Sequence, residues 1–146
     1  MVLFMFNLDD QLGFNINRVA LLFRRELIRC FRDYHLSPEQ WQILAALWQK
    51  KSLSQSEIMK ITLQDAPATS RIISKMAKNN LVKMEASAAD RRTKIVGLTK
   101  KGDSLKKVLP EKLVGHFNHL LKEFPSGRRN ELLKILKDLR TIFGDL

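Results

Sequence analysis

Apolar residues recur at helical spacing through the outer parts of the chain. In residues 9–34 they fall every three or four positions, at Leu12, Ile16, Val19, Phe23, Leu27, Cys30 and Tyr34. This spacing predicts one long helix with a broad apolar face. The same period predicts a long helix over residues 99–124, capped by Thr99 and bent at Pro110, and a last helix over residues 132–143 that ends at Gly144.

The central part of the chain carries start signals for three shorter helices. Ser37 with Gln40, and Ser54 with Glu57, have the spacing of capping boxes, in which two side chains satisfy free amides of the first helical turn. Asp65 is the predicted cap of a third helix, which has Pro67 in its first turn.

The segments "LVKMEAS" and "TKIVGLT" alternate apolar and polar residues around the charged turn "AADRR". Period-two alternation on both sides of a polar turn predicts a two-stranded hairpin. Helix, short helix, helix and hairpin in this order are the plan of a winged helix-turn-helix. We therefore predict a mainly α fold with a two-stranded β-wing and long N- and C-terminal helices.

The distribution of charge indicates a function for this fold. The 146 residues include 26 Lys and Arg against 15 Asp and Glu, a net charge of +11. Residues 66–107 carry eleven basic and three acidic side chains, 11 − 3 = +8, so most of the excess lies on the third helix, the hairpin and the start of the next helix. A positively charged surface of this kind favours polyanionic partners. Nucleic acid is the first candidate and an anionic membrane surface is the second.

Other features narrow the function class. The sequence has no nucleophile elbow, no Gly-rich phosphate loop and no metal-ligand cluster, so we predict no enzyme, no cofactor and no metal. His116 and His119 have a spacing that could hold a metal, but they lack a third ligand and are interpreted as interface residues. Cys30 is the single cysteine and is interpreted as a small buried hydrophobe, with an oxidant sensor as the alternative.

The N-terminus and the cysteine content bear on location. The opening "MVLFMF" is too short for a signal peptide or a membrane span, so we predict no membrane partner. It is interpreted as an arm that needs apolar cover, most simply from another subunit. With one cysteine there is no internal disulfide, and a cytoplasmic location is expected.

Motifs in the basic segment resemble a known family. Asp90, Arg92 and Leu98-Thr99 match the D-x-R-x5-L-T signature of the multiple-antibiotic-resistance regulators, the MarR family. "LSPEQWQILAAL", "APATSRIISKMAKNNLV" and "LTKKG" are similar to that family in order and spacing. The resemblance implies a homodimeric DNA-binding regulator. It assigns residues 1–35 and 100–146 to dimerisation and 36–99 to the winged helix-turn-helix, within one continuous folding unit.

The site residues follow from helix geometry and from the resemblance. A 100° step per residue puts the DNA-facing residues of the third helix opposite Ile72, Ile73 and Met76. Arg71 is the candidate for bidentate contact with guanine. The other candidates are Pro67 or Ala68 for a thymine methyl, Ser70 and Ser74 for less selective hydrogen bonds, and Lys75 and Lys78 for phosphates.

The hairpin residues have their own expected roles. An arginine at the tip of a hairpin can enter a narrow minor groove, and a carboxylate two residues away can hold its guanidinium in place. The resemblance implies that Arg92 is this wing arginine, that Asp90 orients it, and that Arg91 and Lys94 contact phosphates.

The sequence thus predicts a transcription regulator, more specifically a repressor, bound as a homodimer to a pseudo-palindromic operator in double-stranded DNA. Release by a small-molecule effector is possible in this family, and the aromatic residues Phe14, Phe23, Trp41 and Trp48 are either ordinary core or pocket lining. An architectural DNA-binding protein of low specificity remains an alternative, as does a peripheral membrane protein.

Overall fold

The computed structural model describes residues 6–146, so five residues of the predicted N-terminal arm lie outside the described part. Within these residues the chain is mainly helical and carries one small sheet, and the predicted winged helix fold is confirmed. The helices are α1 (Leu12–Cys30), α2 (Pro38–Lys50), α3 (Gln55–Thr62), α4 (Ala66–Lys78), α5 (Lys100–Ser104), α6 (Leu109–Leu120) and α7 (Ser126–Ile142). The strands are β1 (Ser52–Ser54), β2 (Val82–Ala86) and β3 (Lys94–Leu98).

The chain divides into two compact units, the first ending at Pro110 and the second spanning residues 111–146. The first unit holds the winged helix-turn-helix. Its core is apolar and well covered, with fully buried side chains that include Phe31, Ile43, Leu44, Leu47, Ile58, Met76 and Val96. Burial of these side chains is the main stabilising contribution to this unit.

All three predicted caps of the central helices are present. The Ser37 and Ser54 hydroxyls accept from the amides of Gln40 and Glu57, and both reciprocal side-chain bonds are made. Asp65 accepts from the amide of Ala68 at 2.8 Å. The helices therefore begin where the local sequence specifies a partner for their first free amides.

The first long helix is shorter than predicted. Residues Leu8–Asp10 and Arg32–Tyr34 form separate 3-10 turns on either side of α1. Gln11 has an extended backbone before the helix, and His35 has a left-handed one, with φ of 53°, after the second turn. Apolar spacing alone does not detect these breaks, because a 3-10 turn continues nearly the same period.

The prediction of one bent helix after Thr99 is wrong. Thr99 does cap a helix, but α5 ends at Ser104, a 3-10 turn follows, and α6 starts anew at Leu109. Pro110 is the second residue of α6, where its missing amide costs no hydrogen bond. The proline therefore begins a helix instead of bending one.

The sheet has three antiparallel strands in the order β1-β3-β2. The predicted hairpin is formed by β2 and β3, in which Val82 pairs with Leu98 and Ala86 with Lys94. Strand β1, which pairs Ser52–Ser54 with residues 95–97, was not predicted from the sequence. Three residues are too few to show period-two alternation, so β1 has no signal of its own.

Candidate DNA-binding surface

The recognition helix α4 has one buried and one exposed face. Thr69, Ile73 and Met76 are 0, 3 and 0% exposed and pack into the core. The predicted DNA-contact residues Pro67, Ser70, Arg71, Ser74, Lys75 and Lys78 are exposed, and Ala68 is half-buried. The helix therefore presents a polar and cationic strip of the kind that enters a major groove.

Two contacts hold the N-terminal end of the recognition helix. Asp65 caps the first turn, and Gln55 at the start of α3 donates from Nε2 to the carbonyl of Ala66 at 3.2 Å. The second contact links the two helices of the helix-turn-helix directly. Sequence analysis did not single out Gln55, because its side chain reaches a residue eleven positions away.

The wing carries the second group of predicted residues. Asp90, Arg91, Arg92 and Lys94 are all exposed. Lys94 lines a cavity of about 70 Å³ together with Ser70 of the recognition helix and Gln55. The base of the wing and the recognition helix are therefore neighbours at Lys94 and Ser70.

Asp90 contacts Arg92 differently from the prediction. Its Oδ1 accepts from the backbone amide of Arg92 at 2.9 Å, and its backbone carbonyl accepts from the amide of Thr93 at 3.0 Å. In the described part of the chain, Asp90 forms no ion pair with the Arg92 guanidinium. The expectation that the carboxylate holds the guanidinium directly is thus wrong for this structure. Asp90 instead fixes the turn from which Arg92 projects.

A larger cavity of about 560 Å³ adjoins the recognition helix. It is lined by Arg24 and Ile28 of α1, by Phe31 and Arg32 just after that helix, by residues 35–38 and Gln40, and by Arg71, Ile72 and Lys75. Two predicted DNA-contact residues, Arg71 and Lys75, thus also line this open cleft. Arg24 and Arg32 were missed by sequence analysis, because only the fold brings α1 beside α4.

An ion pair lies at the edge of this cavity. The Arg24 guanidinium donates to both carboxylate oxygens of Glu39, at 2.6 and 3.2 Å, and so joins α1 to the first turn of α2. Partial burial raises the pKa of Glu39, but the hydrogen bonds from Arg24 and from its own backbone amide outweigh that effect and leave the pKa below its ordinary value.

Of the four aromatic residues that could have lined a pocket, Trp41 and Trp48 contact each other, whereas the Phe14 ring lies 5.4 Å from the Arg18 guanidinium. The Trp41 ring lies 5.0 Å from the Phe31 ring and 5.6 Å from the Trp48 ring, measured between centroids. The Trp48 indole N–H donates to the carbonyl of Gly102 at 3.0 Å. Of the four predicted residues, Trp48 lines a cleft of about 530 Å³ beside β3 and α5. The aromatic residue that lines the 560 Å³ cavity is Phe31, which was not among the four.

These features define a winged helix-turn-helix protein of the DNA-binding class, with a cationic recognition helix and an arginine-tipped wing. The MarR family model matches residues 35–93. These residues include α2, the helix-turn-helix and most of the wing. Over these residues the chain is similar to the MarR family of transcription regulators.

The relatives agree with this assignment. The HTH-type transcriptional regulator MgrA of Staphylococcus aureus is 26% identical over 101 residues, which are 68% of this chain and 69% of MgrA. A structure of the transcriptional repressor CouR bound to a 23-mer DNA duplex is 26% identical, covers 95% of this chain and 99% of that chain, and has a TM-score of 0.84. CouR from Rhodococcus jostii RHA1 bound to p-coumaroyl-CoA is 15% identical, covers 92% and 95% of the two chains, and superposes with a TM-score of 0.80.

Residues 6–146 contain neither a membrane-spanning helix nor a metal-binding cluster. None of their helices is long and apolar enough to cross a membrane. No group of three or more potential ligands among His, Cys, Asp and Glu is placed to hold a metal ion in this part of the chain.

Proposed function

We propose that this protein is a homodimeric transcriptional repressor that binds a pseudo-palindromic operator. The observation that carries the proposal is the exposed cationic surface of the recognition helix, with Arg71, Lys75 and Lys78, together with the exposed Arg91 and Arg92 of the wing, whose base lies beside that helix. Such a surface supplies both parts of specific binding: groups that read base edges and charges that contact phosphates. The DNA-bound CouR relative supports the assignment to duplex DNA.

Exposed apolar helical faces support the dimer. In α1, Leu12, Ile16, Val19 and Phe23 are between 42 and 68% exposed. In α7, Leu132, Leu133, Ile135 and Leu136 are between 41 and 52% exposed. Faces of this kind mark association surfaces in proteins of this size. A second copy of the chain is the occupant we propose, and two recognition helices would then read half-sites about 10 bp apart.

Effector control is the second part of the proposal. The 560 Å³ cavity has apolar walls and places Arg24 and Arg32 beside Arg71 and Lys75, which suits a small organic anion. A ligand that prefers the DNA-free form shifts the population by its difference in affinity for the two forms. The CouR relative with bound p-coumaroyl-CoA supports small-molecule control in this fold.

Selection of bound genomic fragments by the purified full-length protein tests the function. The selected sequence should be a pseudo-palindrome, and its affinity should exceed that for a shuffled duplex by about a thousandfold or more at physiological salt. Equal affinity for both duplexes would instead identify an architectural protein of low specificity. Light scattering at the same protein concentration should give twice the mass of the chain, and a monomer would refute the dimer.

The repressor assignment and the effector need their own measurements. A reporter placed behind the selected operator should be less active when the protein is present, and higher activity would identify an activator. Compounds from an anion library that release the operator fragment should lose their effect in Arg32→Ala, because Arg32 lines the cavity but lies outside the predicted DNA surface. Retained release in that variant would place the effector site elsewhere.

A further inference from the structure

The exit of the recognition helix is held by side chains that follow the wing. Lys101 donates from Nζ to the carbonyl of Asn79 at 3.1 Å. The Thr99 hydroxyl lies 2.6 Å from the carbonyl oxygen of Asn80 and 3.1 Å from that of Leu81. Carbonyls at the end of a helix have no partner within the helix, and a cation there also complements the helix dipole. The segment 99–102 therefore serves as an external cap for α4.

A third element fixes this capping segment. The Trp48 indole of α2 donates to the carbonyl of Gly102 at 3.0 Å, across 54 positions of sequence. The amide of Gly102 in turn donates to the Thr99 hydroxyl at 3.0 Å. The cap is therefore attached to the core of the unit instead of moving with the wing.

We propose that Thr99 and Lys101 are positioning residues for DNA reading, and that Trp48 acts through them by holding their segment. The recognition helix is held at its start by Asp65 and Gln55, and this cap holds its other end. A helix fixed at both ends cannot pivot, so Arg71 meets the same base edge in every complex. The proposal rests on the proposed function, because it concerns the accuracy of operator reading.

Two adjacent lysines provide a matched test. Lys101→Met removes the capping donor, and Lys100→Met removes the same charge from a neighbour for which the described structure shows no such bond. We expect Lys101→Met to bind the selected operator about tenfold more weakly than Lys100→Met, on the scale of one charge-assisted hydrogen bond. Their affinities for shuffled duplex should be equal. Lys101→Arg should restore operator binding, because a guanidinium can also donate to the carbonyl.

Two outcomes of this comparison would overturn the proposal. The first is the same ratio of operator to shuffled affinity in both methionine variants. The second is a Lys101→Met variant that loses affinity for both duplexes together with one unit of salt dependence, which would make Lys101 a phosphate ligand.

Substitution of Trp48 provides a second, independent test of the proposal. Trp48→Phe keeps an aromatic ring but lacks the N–H donor, whereas Trp41→Phe is the matched change in the adjacent ring. Trp48→Phe should lower the operator preference several-fold, and Trp41→Phe should leave it near that of the parent. If both residues act through one cap, the loss in the double variant Trp48→Phe/Lys101→Met should be smaller than the product of the single losses. Losses that multiply would refute a shared cap.

Hydrogen exchange distinguishes a failure of this proposal from a failure of the proposed function. In the full-length protein without DNA, Lys101→Met should speed amide exchange in the last turn of α4 relative to Lys100→Met, with equal thermal midpoints. Unchanged exchange would overturn the positioning role even if the protein is a specific regulator. If the parent selects no sequence, the proposed function fails and the faster exchange in Lys101→Met still reports the cap.

Discussion

Gly102 packs against the backbone of Leu81 so closely that a Cβ at position 102 would lie 2.1 Å from the Leu81 carbonyl oxygen. That oxygen also accepts the amide of Thr99 at 3.2 Å, so it cannot move away without breaking a backbone bond. The glycine at this position is therefore required by the approach of two backbones.

Substitution of this glycine should destabilise the first unit. Gly102→Ala is expected to lower the free energy of unfolding by about 2 kcal/mol or more, because the clash is with backbone and cannot be relieved by a rotamer change. Chemical denaturation monitored by tryptophan fluorescence measures the change. Gly13→Ala is the control, since a Cβ there meets nothing within 4 Å and alanine favours the helix. Equal stability of the two variants would contradict the prediction.

Substitution of Thr69 should instead raise the stability of the protein. The Thr69 hydroxyl is fully buried in the recognition helix and has no hydrogen-bond partner in the described part of the chain. Thr69→Val keeps the shape and removes the unsatisfied polar group, so the free energy of unfolding should rise by about 1 kcal/mol. Ser70→Ala, on the exposed side of the same helix, is the control. A lower stability of Thr69→Val would show that the hydroxyl has a partner in solution.

The Arg24–Glu39 pair predicts a pH dependence. The pKa of Glu39 is lower in the folded protein than its ordinary value of 4.5, so the pair stabilises the fold above that pH. This contribution is lost as the pH falls through the lower, folded-state pKa. Because the Arg24 side chain is 44% exposed, the contribution should be below about 1 kcal/mol.

Glu39→Gln tests this dependence. The variant should lose stability relative to the parent at neutral pH, and the difference should shrink as the pH falls below 4.5 and through the lowered pKa of Glu39. Arg24→Met should show the same profile, because it removes the other partner of the same pair. A difference that stays constant across this range would exclude the ion pair as its cause.

In the wing turn, Asp90 could act through its hydrogen bond to the amide of Arg92 or through its negative charge, and the two roles predict different results. Its carboxylate accepts the amide of Arg92, and asparagine can make the same bond without charge. Asp90→Asn should therefore retain operator affinity, whereas Asp90→Ala should weaken it nearly as much as Arg92→Ala does. Fluorescence anisotropy with labelled operator gives the three affinities. If Asp90→Asn were as weak as Asp90→Ala, the negative charge itself would be required.

Substitution of Arg92 and substitution of Arg71 should affect DNA binding in different ways. Arg92→Ala is expected to weaken binding to all duplexes and to lower the slope of log affinity against log salt by about one. Arg71→Ala should relax the preference at one base pair in each half-site, at a cost of about 1 to 3 kcal/mol for the original operator. Repeated binding-site selection with each variant checks the assignment. The same selected sequence from Arg71→Ala and the parent would remove Arg71 from base reading.

Local signals in the sequence were sufficient where the structure depends on neighbours a few positions apart. The capping boxes at Ser37 and Ser54 and the hairpin around Asp90 are of this kind, and each was predicted. Strand β1 was not, because it exists only through pairing with residues more than forty positions away. The Trp48 bond to Gly102 and the cavity that joins Arg24 to Arg71 are likewise products of the assembled fold.

Strand β1 supports only the base of the wing. It pairs with β3 only at residues 95–97, so the sheet is three strands wide at its base and two strands wide from Lys94 outward. Arg91 and Arg92 thus lie at the two-stranded end of the wing, beyond the part that β1 supports. Differences in minor-groove width among operators would then be absorbed by flexing of this end, and the recognition helix would not have to shift its register on the duplex.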